Sequence, residues 1–190
     1  MNTHASAITI VALLFVASLH SAAQAQHRDH LTPQEVELIK DTQVLDKRIE
    51  VFIKAAERRV LVLTGTADPN GKQLKKDSEK WGELPKGSPG ELVSDVARIL
   101  DEAITNIDDV SSRDEKNPLI PKALRRLAAA ATRIVDQVKP FAAKASSDSE
   151  NNSFEQLAEN AEAIAQAASK LPPEVAKKGK SKEEKPKTTN

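Results

Sequence analysis

The sequence predicts an all-α protein, specifically an antiparallel four-helix bundle with a long connection between its first two helices. Four segments carry apolar residues at alternating spacings of three and four, most begin with a helix-start signal, and strand-like alternation is almost absent. A seam with a mean period near 3.5 residues is typical of helices packed almost parallel to one another. Loosely associated amphipathic helices and a coiled-coil oligomer are the alternatives, and the short later connections favour the intramolecular bundle.

The first predicted helix begins with a capping box and a proline at its first helical position, in the segment Thr32 to Glu35. It continues to about Thr64, where Gly65 supplies a left-handed stop, and such a helix would be about 48 Å long. Its seam comprises Leu38, Thr42, Leu45, Ile49, Phe52 and Ala56. Arg59 interrupts this seam one heptad later.

The second predicted helix starts with the same device at Ser88 to Glu91, and the polar run 111–117 closes it. The third begins near Pro118 or Pro121, and we expect Pro140 to bend or end it because proline lacks a backbone donor. Their seams comprise Val93, Val96, Leu100, Ala103, Ile107 and Val110, then Ile120, Leu124, Leu127, Ala131, Ile134, Val138 and Phe141.

The fourth predicted helix starts at the capping box Ser153 to Gln156 and stops at Pro172 and Pro173. Its seam comprises Phe154, Leu157, Ala161, Ile164, Ala168 and Leu171. The alanines of the third and fourth seams allow close helix approach but contribute little apolar area, so a thin core is expected. The bundle domain as a whole is predicted to cover residues 32–173.

The helices differ in charge. Residues 91–113 hold six acids and two bases, residues 118–144 hold six bases and one acid, and residues 149–171 hold four acids and one base. A basic third helix between two acidic ones suits an antiparallel meander with interhelical ion pairs. The alternative interpretation is a docking face for an acidic partner, formed by Arg125, Arg126 and Arg133.

The connection from Gly65 to Gly87 is 23 residues, which is long for a compact bundle and therefore a candidate for a functional role. After a turn at 68–71, residues 73–81 are predicted to form a short helix that places Leu74 and Trp81 on one side and that ends at Gly82. Trp81 is the only tryptophan. It is either a contact residue for a ligand or partner, or an anchor that pins this crossover to the bundle.

Residues 1–25 are predicted to be a signal peptide. They contain no Lys, Arg, Asp or Glu, and they carry an apolar stretch from Ala7 to Leu19 and a small-residue site ending at Ala25. Thirteen residues cannot cross a bilayer core that needs about 20 in a helix, so the segment is not expected to be an anchor. We therefore expect an exported protein, periplasmic or extracellular, with a flexible mature N-terminus at 26–31 and no membrane span after cleavage.

Residues 174–190 are rich in lysine and almost free of apolar side chains, so a disordered tail is predicted. This tail would interact weakly with anionic envelope polymers, although solubility alone explains it equally well. The whole chain contains 28 basic and 28 acidic residues, which argues against a general affinity for polyanions, nucleic acid included.

The composition excludes several chemistries. Cysteine is absent, which removes disulfides, thiol nucleophiles and cysteine-bound metals. No predicted helix contains histidine, so a di-iron site or a Ser-His-Asp triad cannot be assembled there. His27, Asp29 and His30 near the mature start lack an evident further ligand. We therefore predict no catalytic residues, no cofactor and no metal, with a carboxylate-only hydrolase as the remaining enzymatic alternative.

Two functional hypotheses follow. The first is a non-enzymatic helical bundle that acts by protein–protein contact in the cell envelope, as an adaptor or a chaperone-like factor. The second is a binder of a small ligand or an anionic envelope polymer, which would use the Trp81 crossover and the basic tail. Exposed seams would also allow a homo-oligomer. The candidate contact residues are Trp81, Leu74, Arg125, Arg126 and Arg133.

Overall fold

The computed structural model describes residues 29–66 and 72–173, without the side chains of 72–76. Within these ranges the chain is all-helical, as predicted. The six helices are α1 (Pro33–Asp41), α2 (Leu45–Leu63), α3 (Lys72–Trp81), α4 (Pro89–Arg113), α5 (Leu119–Ala142) and α6 (Asp148–Ser169). The predicted signal peptide 1–25 and the tail 174–190 lie outside the described residues.

The prediction of one continuous first helix is wrong, because the chain breaks into α1 and α2 at residues 42–44. Thr42 has an extended backbone, and its hydroxyl donates a 2.7 Å hydrogen bond to the carbonyl of Leu38. The carbonyl of Thr42 accepts from Nε of Arg48 at 2.7 Å. A threonine that bonds back to the preceding turn competes with helix continuation, and this bend reorients α1 relative to α2.

Two predicted helix starts are confirmed by complete capping boxes. Thr32 and Glu35 exchange bonds at the start of α1, and Ser88 and Glu91 do so at the start of α4. The crossover helix also forms, and it ends at Gly82, whose φ of +69° favours glycine.

The predicted start of the last helix, with Ser153 as its N-cap, is wrong by six residues. The N-cap of α6 is Ser147, whose hydroxyl accepts from the backbone N–H of Glu150 at 3.2 Å. Ser153 lies inside the helix and donates to the carbonyl of Ser149. Ser147, which is followed three positions later by Glu150, therefore caps α6 in place of Ser153.

The early start of α6 brings Glu150 against α4 at Gly90, where a Cβ would lie 2.7 Å from the glutamate Cγ. Further along, Nδ2 of Asn160 donates to the carbonyl of Ala97 at 2.9 Å. From the first contact to the second, the residue number increases in both helices, so α4 and α6 run parallel here.

The core lies among α2, α4, α5 and α6, with α4 contacting α2 and α6, and α5 contacting the same two helices. The central seam positions of α4 and α5 are buried, including Leu100 and Leu127. Helix α5 continues two residues beyond Pro140. None of the helices in the described ranges combines the length and apolarity that a bilayer span demands.

The N-terminal stretch 26–31, expected to be flexible, is described only from residue 29. Leu31 belongs to the core, and His30 Nε2 lies 2.8 Å from Oε2 of Glu102 on α4. The carbonyl of His30 accepts from Arg59 at 2.7 Å. Residues 30 and 31 therefore pack with the helices.

Candidate functional site

A ladder of ion pairs joins α2 to α5. Three of its pairs share a sequence separation of 76 residues: Lys122 with Asp46, Arg126 with Glu50, and Arg133 with Glu57. A constant separation means that residue numbers increase in the same direction along both helices, so α2 and α5 run parallel along this face. The expectation that these cations would face α4 and α6 is wrong, because net charge per helix does not reveal which stripe faces a neighbour.

The ladder is most deeply buried at Asp46, whose side chain is 5% exposed. Its Oδ2 accepts a 2.5 Å hydrogen bond from Nζ of Lys122. This hydrogen bond lowers the pKa of Asp46 below the ordinary carboxyl value, against the opposing effect of burial, and the charge of Lys122 adds to the lowering. Asp46 is therefore held as a carboxylate at neutral pH.

Two adjoining clefts of about 660 and 400 Å³ run along the ladder and share Lys54, Glu57 and Arg133 as lining residues. We call the combined depression the α2/α5 groove. Its α5 wall extends from Lys122 to Gln137, which corresponds to about 22 Å of helix. The groove is therefore elongated, and it is open to solvent along its length.

The apolar lining of the groove changes along its length. Ile53 and Ala129 line the larger cleft. Val60, Leu61 and Ile134 line the smaller one, together with Leu84 of the crossover. The groove therefore has an apolar floor between charged rims, which is a surface suited to an amphipathic occupant.

The three arginines singled out from the sequence all line this groove. Arg126 and Arg133 pair with the acids of α2, whereas Nη2 of Arg125 donates to the carbonyl of Pro172 beyond α6. No carboxylate of the described chain lies within ion-pair distance of Arg125. The basic face of α5 is thus mainly an internal ion-pair strip, with Arg125 as its unneutralised member.

The crossover is fastened at one end of the groove by Arg58. The Nη2 group of this buried residue donates to three successive carbonyls at the end of α3, those of Trp81, Gly82 and Glu83, at 3.2, 3.1 and 2.5 Å. Its guanidinium also lies 5.8 Å from the centroid of the Trp81 ring. A cation at a helix C-terminus satisfies carbonyls that lack helical partners.

Trp81 is 7% exposed, which supports the anchor interpretation of this residue. A second link, between Lys54 of α2 and Asp77 of α3, measures 3.0 Å. The side chain of Leu74 lies outside the described residues, so its predicted position beside Trp81 stays a prediction.

A buried charge cluster lies behind this anchor. Oε1 of Glu35 is 2.6 Å from Nη1 of Arg59 and 3.2 Å from Nε of Arg58, and Nε of Arg59 is 3.8 Å from Oδ2 of Asp95. All four side chains are almost completely buried. Burial lowers the pKa of Arg58, with the charge of Glu35 acting in the opposite direction. The cluster ties α1, α2 and α4 together.

Sequence reasoning missed this cluster and the acidic partners on α2. Glu35 was assigned only to a capping box, and Arg59 only interrupted a seam. An arginine at a seam position is nevertheless a usable signal, because a buried guanidinium requires a carboxylate. Which carboxylate it meets depends on the bend before α2.

No cluster of three or more His, Cys, Asp or Glu side chains in the described ranges is arranged to hold a metal ion. His30 contacts Glu102. His27 lies outside the described residues, so the predicted absence of metal at the mature N-terminus stays a prediction.

The fold and the groove define an all-helical protein with an open, charged depression between two parallel helices. Comparison with known protein families, with curated proteins and with solved structures finds no match to this chain.

Proposed function

We propose that this chain is an exported, non-enzymatic protein that acts by protein–protein contact in the cell envelope, as an adaptor or chaperone-like factor. Its contact face is the α2/α5 groove. We further infer that α2, α4, α5 and α6 form one four-helix bundle whose chain direction alternates along the sequence, with α1 and α3 added at its side.

One observation carries this proposal: the groove is long and open. A wall of about 22 Å matches about four turns of helix or seven extended residues of a partner chain. Its apolar floor and charged rims resemble the composition of grooves that hold amphipathic segments. Drug-sized ligands are usually enclosed on most sides, which this open groove does not provide.

Site-directed cross-linking tests the contact face, and the absence of cysteine makes the experiment specific. A photo-reactive group is attached at Ala129→Cys, in the groove, and at Ala158→Cys, on the exposed side of α6. The full mature protein is then illuminated in its native envelope. We expect a discrete adduct with an envelope protein from the groove position alone. Equal adducts from both positions, or none, would refute the proposal.

Export is tested separately. The mature protein should begin at Gln26 by mass spectrometry of the periplasmic or secreted fraction. Recovery of intact Met1 in the membrane pellet would contradict the export part of the proposal.

A second candidate function is the binding of a small amphipathic ligand at the crossover end of the groove. The smaller cleft supports it, because about 400 Å³ lies between apolar side chains and the cations Lys54 and Arg58. Anilinonaphthalene sulfonate, an apolar anion, is a suitable probe. Saturable, stoichiometric binding that alters Trp81 fluorescence would favour this candidate, and unchanged emission of both probe and Trp81 would exclude it for this probe class.

A further inference from the structure

We propose that the α2/α5 groove accepts an acidic amphipathic segment of the protein partner. This inference rests on the proposed function and specifies the chemistry of its occupant. It follows from an imbalance along the rims of the groove between hydrogen-bond donors that remain available and acceptors that are already occupied.

The acidic rim is engaged by the chain itself. Glu50 accepts from Lys47 at 3.1 Å and also from Arg126, and Glu57 accepts from Arg133 at 3.3 Å. A basic partner would therefore meet carboxylates that already have cations beside them, and it would have to displace them.

The basic rim has capacity left. Each guanidinium carries five N–H donors. The described contacts of Arg125 use its Nη2 group on one carbonyl, and those of Arg133 use Nη1 and Nη2 on one carbonyl and one carboxylate. Arg133 is 59% exposed, so a partner carboxylate can reach it without opening the fold.

The net charge of the residues that line the groove also favours an acidic occupant. Six basic residues and three acidic ones line the two clefts. Asp46 and Glu35 lie behind the rim beside Lys122 and Arg58, but Lys47 and Arg59 also pair with Glu50 and Glu35, so the groove keeps an excess of positive charge. Arg125, which has a carbonyl as its partner, contributes to this excess. An occupant with carboxylates on its outer edges complements this rim.

The apolar floor specifies the rest of the occupant. Ile53 and Ile134 are buried beneath the groove, and the apolar surface open to an occupant comes from Ala129, which is exposed, and from Leu61 and Leu84, which are partly exposed. A purely anionic polymer would leave this surface uncovered. An amphipathic helix of about 15 residues covers it, because such a helix is about 22 Å long and carries one apolar stripe.

Three synthetic peptides of about 15 residues test the inference by fluorescence anisotropy with the full mature protein. The first places leucines at helical spacing among glutamates, the second replaces the glutamates with lysines, and the third keeps the glutamates but replaces the leucines with serines. We expect the first to bind at least about tenfold more tightly than the other two, with an affinity that falls as salt rises.

Charge reversal locates the site. Arg125→Glu should weaken binding of the first peptide about fivefold, and Arg113→Glu, an identical charge change at the end of α4, should stay within about twofold. Circular dichroism verifies that both variants are folded. Stronger binding of the lysine peptide, equal binding of the serine peptide, or equal losses in both variants overturns the inference.

The cross-linking experiment separates this inference from the proposed function. A groove-specific adduct whose attached peptide, identified by mass spectrometry, is not acidic would leave protein contact standing and would refute the acidic occupant. The absence of any groove-specific adduct would refute the proposed function, and with it the inference.

Discussion

Oε1 of Glu35 lies 2.6 Å from Nη1 of Arg59, although 24 positions separate the two residues. In a continuous helix their Cα atoms would be about 36 Å apart. The break at residues 42–44 allows α1 to fold back along α2, so that a capping-box glutamate also serves as the counterion of a buried arginine. The helix start and the charge cluster therefore depend on one side chain.

Glu35→Gln should destabilise the protein by about 3 to 5 kcal/mol, because it leaves the guanidinium groups of Arg58 and Arg59 buried without this carboxylate. Glutamine preserves the capping box, so the loss reports the ion pairs. Chemical denaturation followed by circular dichroism measures the free energy of unfolding. The control is Glu37→Gln on the exposed side of α1, which should stay within about 0.5 kcal/mol. Equal effects would contradict the role of the cluster.

Arg58→Lys should loosen the crossover while the other helices remain folded. A lysine cannot reproduce the planar group that contacts three carbonyls and the Trp81 ring. We expect the emission of Trp81 to shift to longer wavelength and its acrylamide quenching to increase. Lys80→Gln, which removes the other cation near this ring, should leave the emission almost unchanged. If the emission of Trp81 stays at the wavelength of the parent protein in both variants, Arg58 does not hold the crossover.

Asp46 should make stability depend on acidic pH. Because its folded-state pKa lies below the ordinary value, the carboxylate stabilises the fold above the unfolded-state pKa near 4. This contribution is lost as pH falls through the folded-state pKa. The free energy of unfolding, measured by chemical denaturation between about pH 5 and 2, should therefore decrease less steeply with falling pH for Asp46→Asn than for the parent. Identical slopes would contradict the assignment, and Asp101→Asn, an exposed change on α4, supplies the matched control.

The parallel register of α2 and α5 is testable by charge exchange. Glu57→Arg should cost up to about 1 kcal/mol, because it places two arginines together, and adding Arg133→Glu should recover most of this loss. Adding Arg125→Glu instead should not, since Arg125 contacts Pro172 rather than Glu57. A double-mutant cycle with unfolding free energies measures the coupling. Similar recovery by both second changes would argue against the 76-residue register.

Several elements were predictable because their signals are local. The capping boxes at Thr32 and Ser88 involve bonds over three residues, so sequence alone determines where α1 and α4 begin. The glycine stop at Gly82 is equally local. The predicted capping box at Ser153 was misassigned because Ser147, six residues earlier, caps the helix with a serine-to-backbone hydrogen bond of the same local kind.

The groove was predictable only in part. The sequence identified Arg125, Arg126 and Arg133 as a basic face, but it did not identify Glu50 and Glu57 as their neighbours. Those acids lie among basic residues on α2, so the net charge of that helix hides an acidic stripe. Which charged stripe of one helix faces which stripe of another depends on how the two helices pack. The sequence of either helix alone does not specify this.

By itself, the sequence determined the helical class, most helix boundaries and the seam positions that become buried, because hydrophobic period and capping act within a few residues. Tertiary structure decided the fold-back at Thr42, the pairing of Glu35 with Arg59 and the parallel course of α2 and α5. These features join residues that are distant in sequence. Their free energy depends on which charges are desolvated together, and that is fixed only when the helices pack.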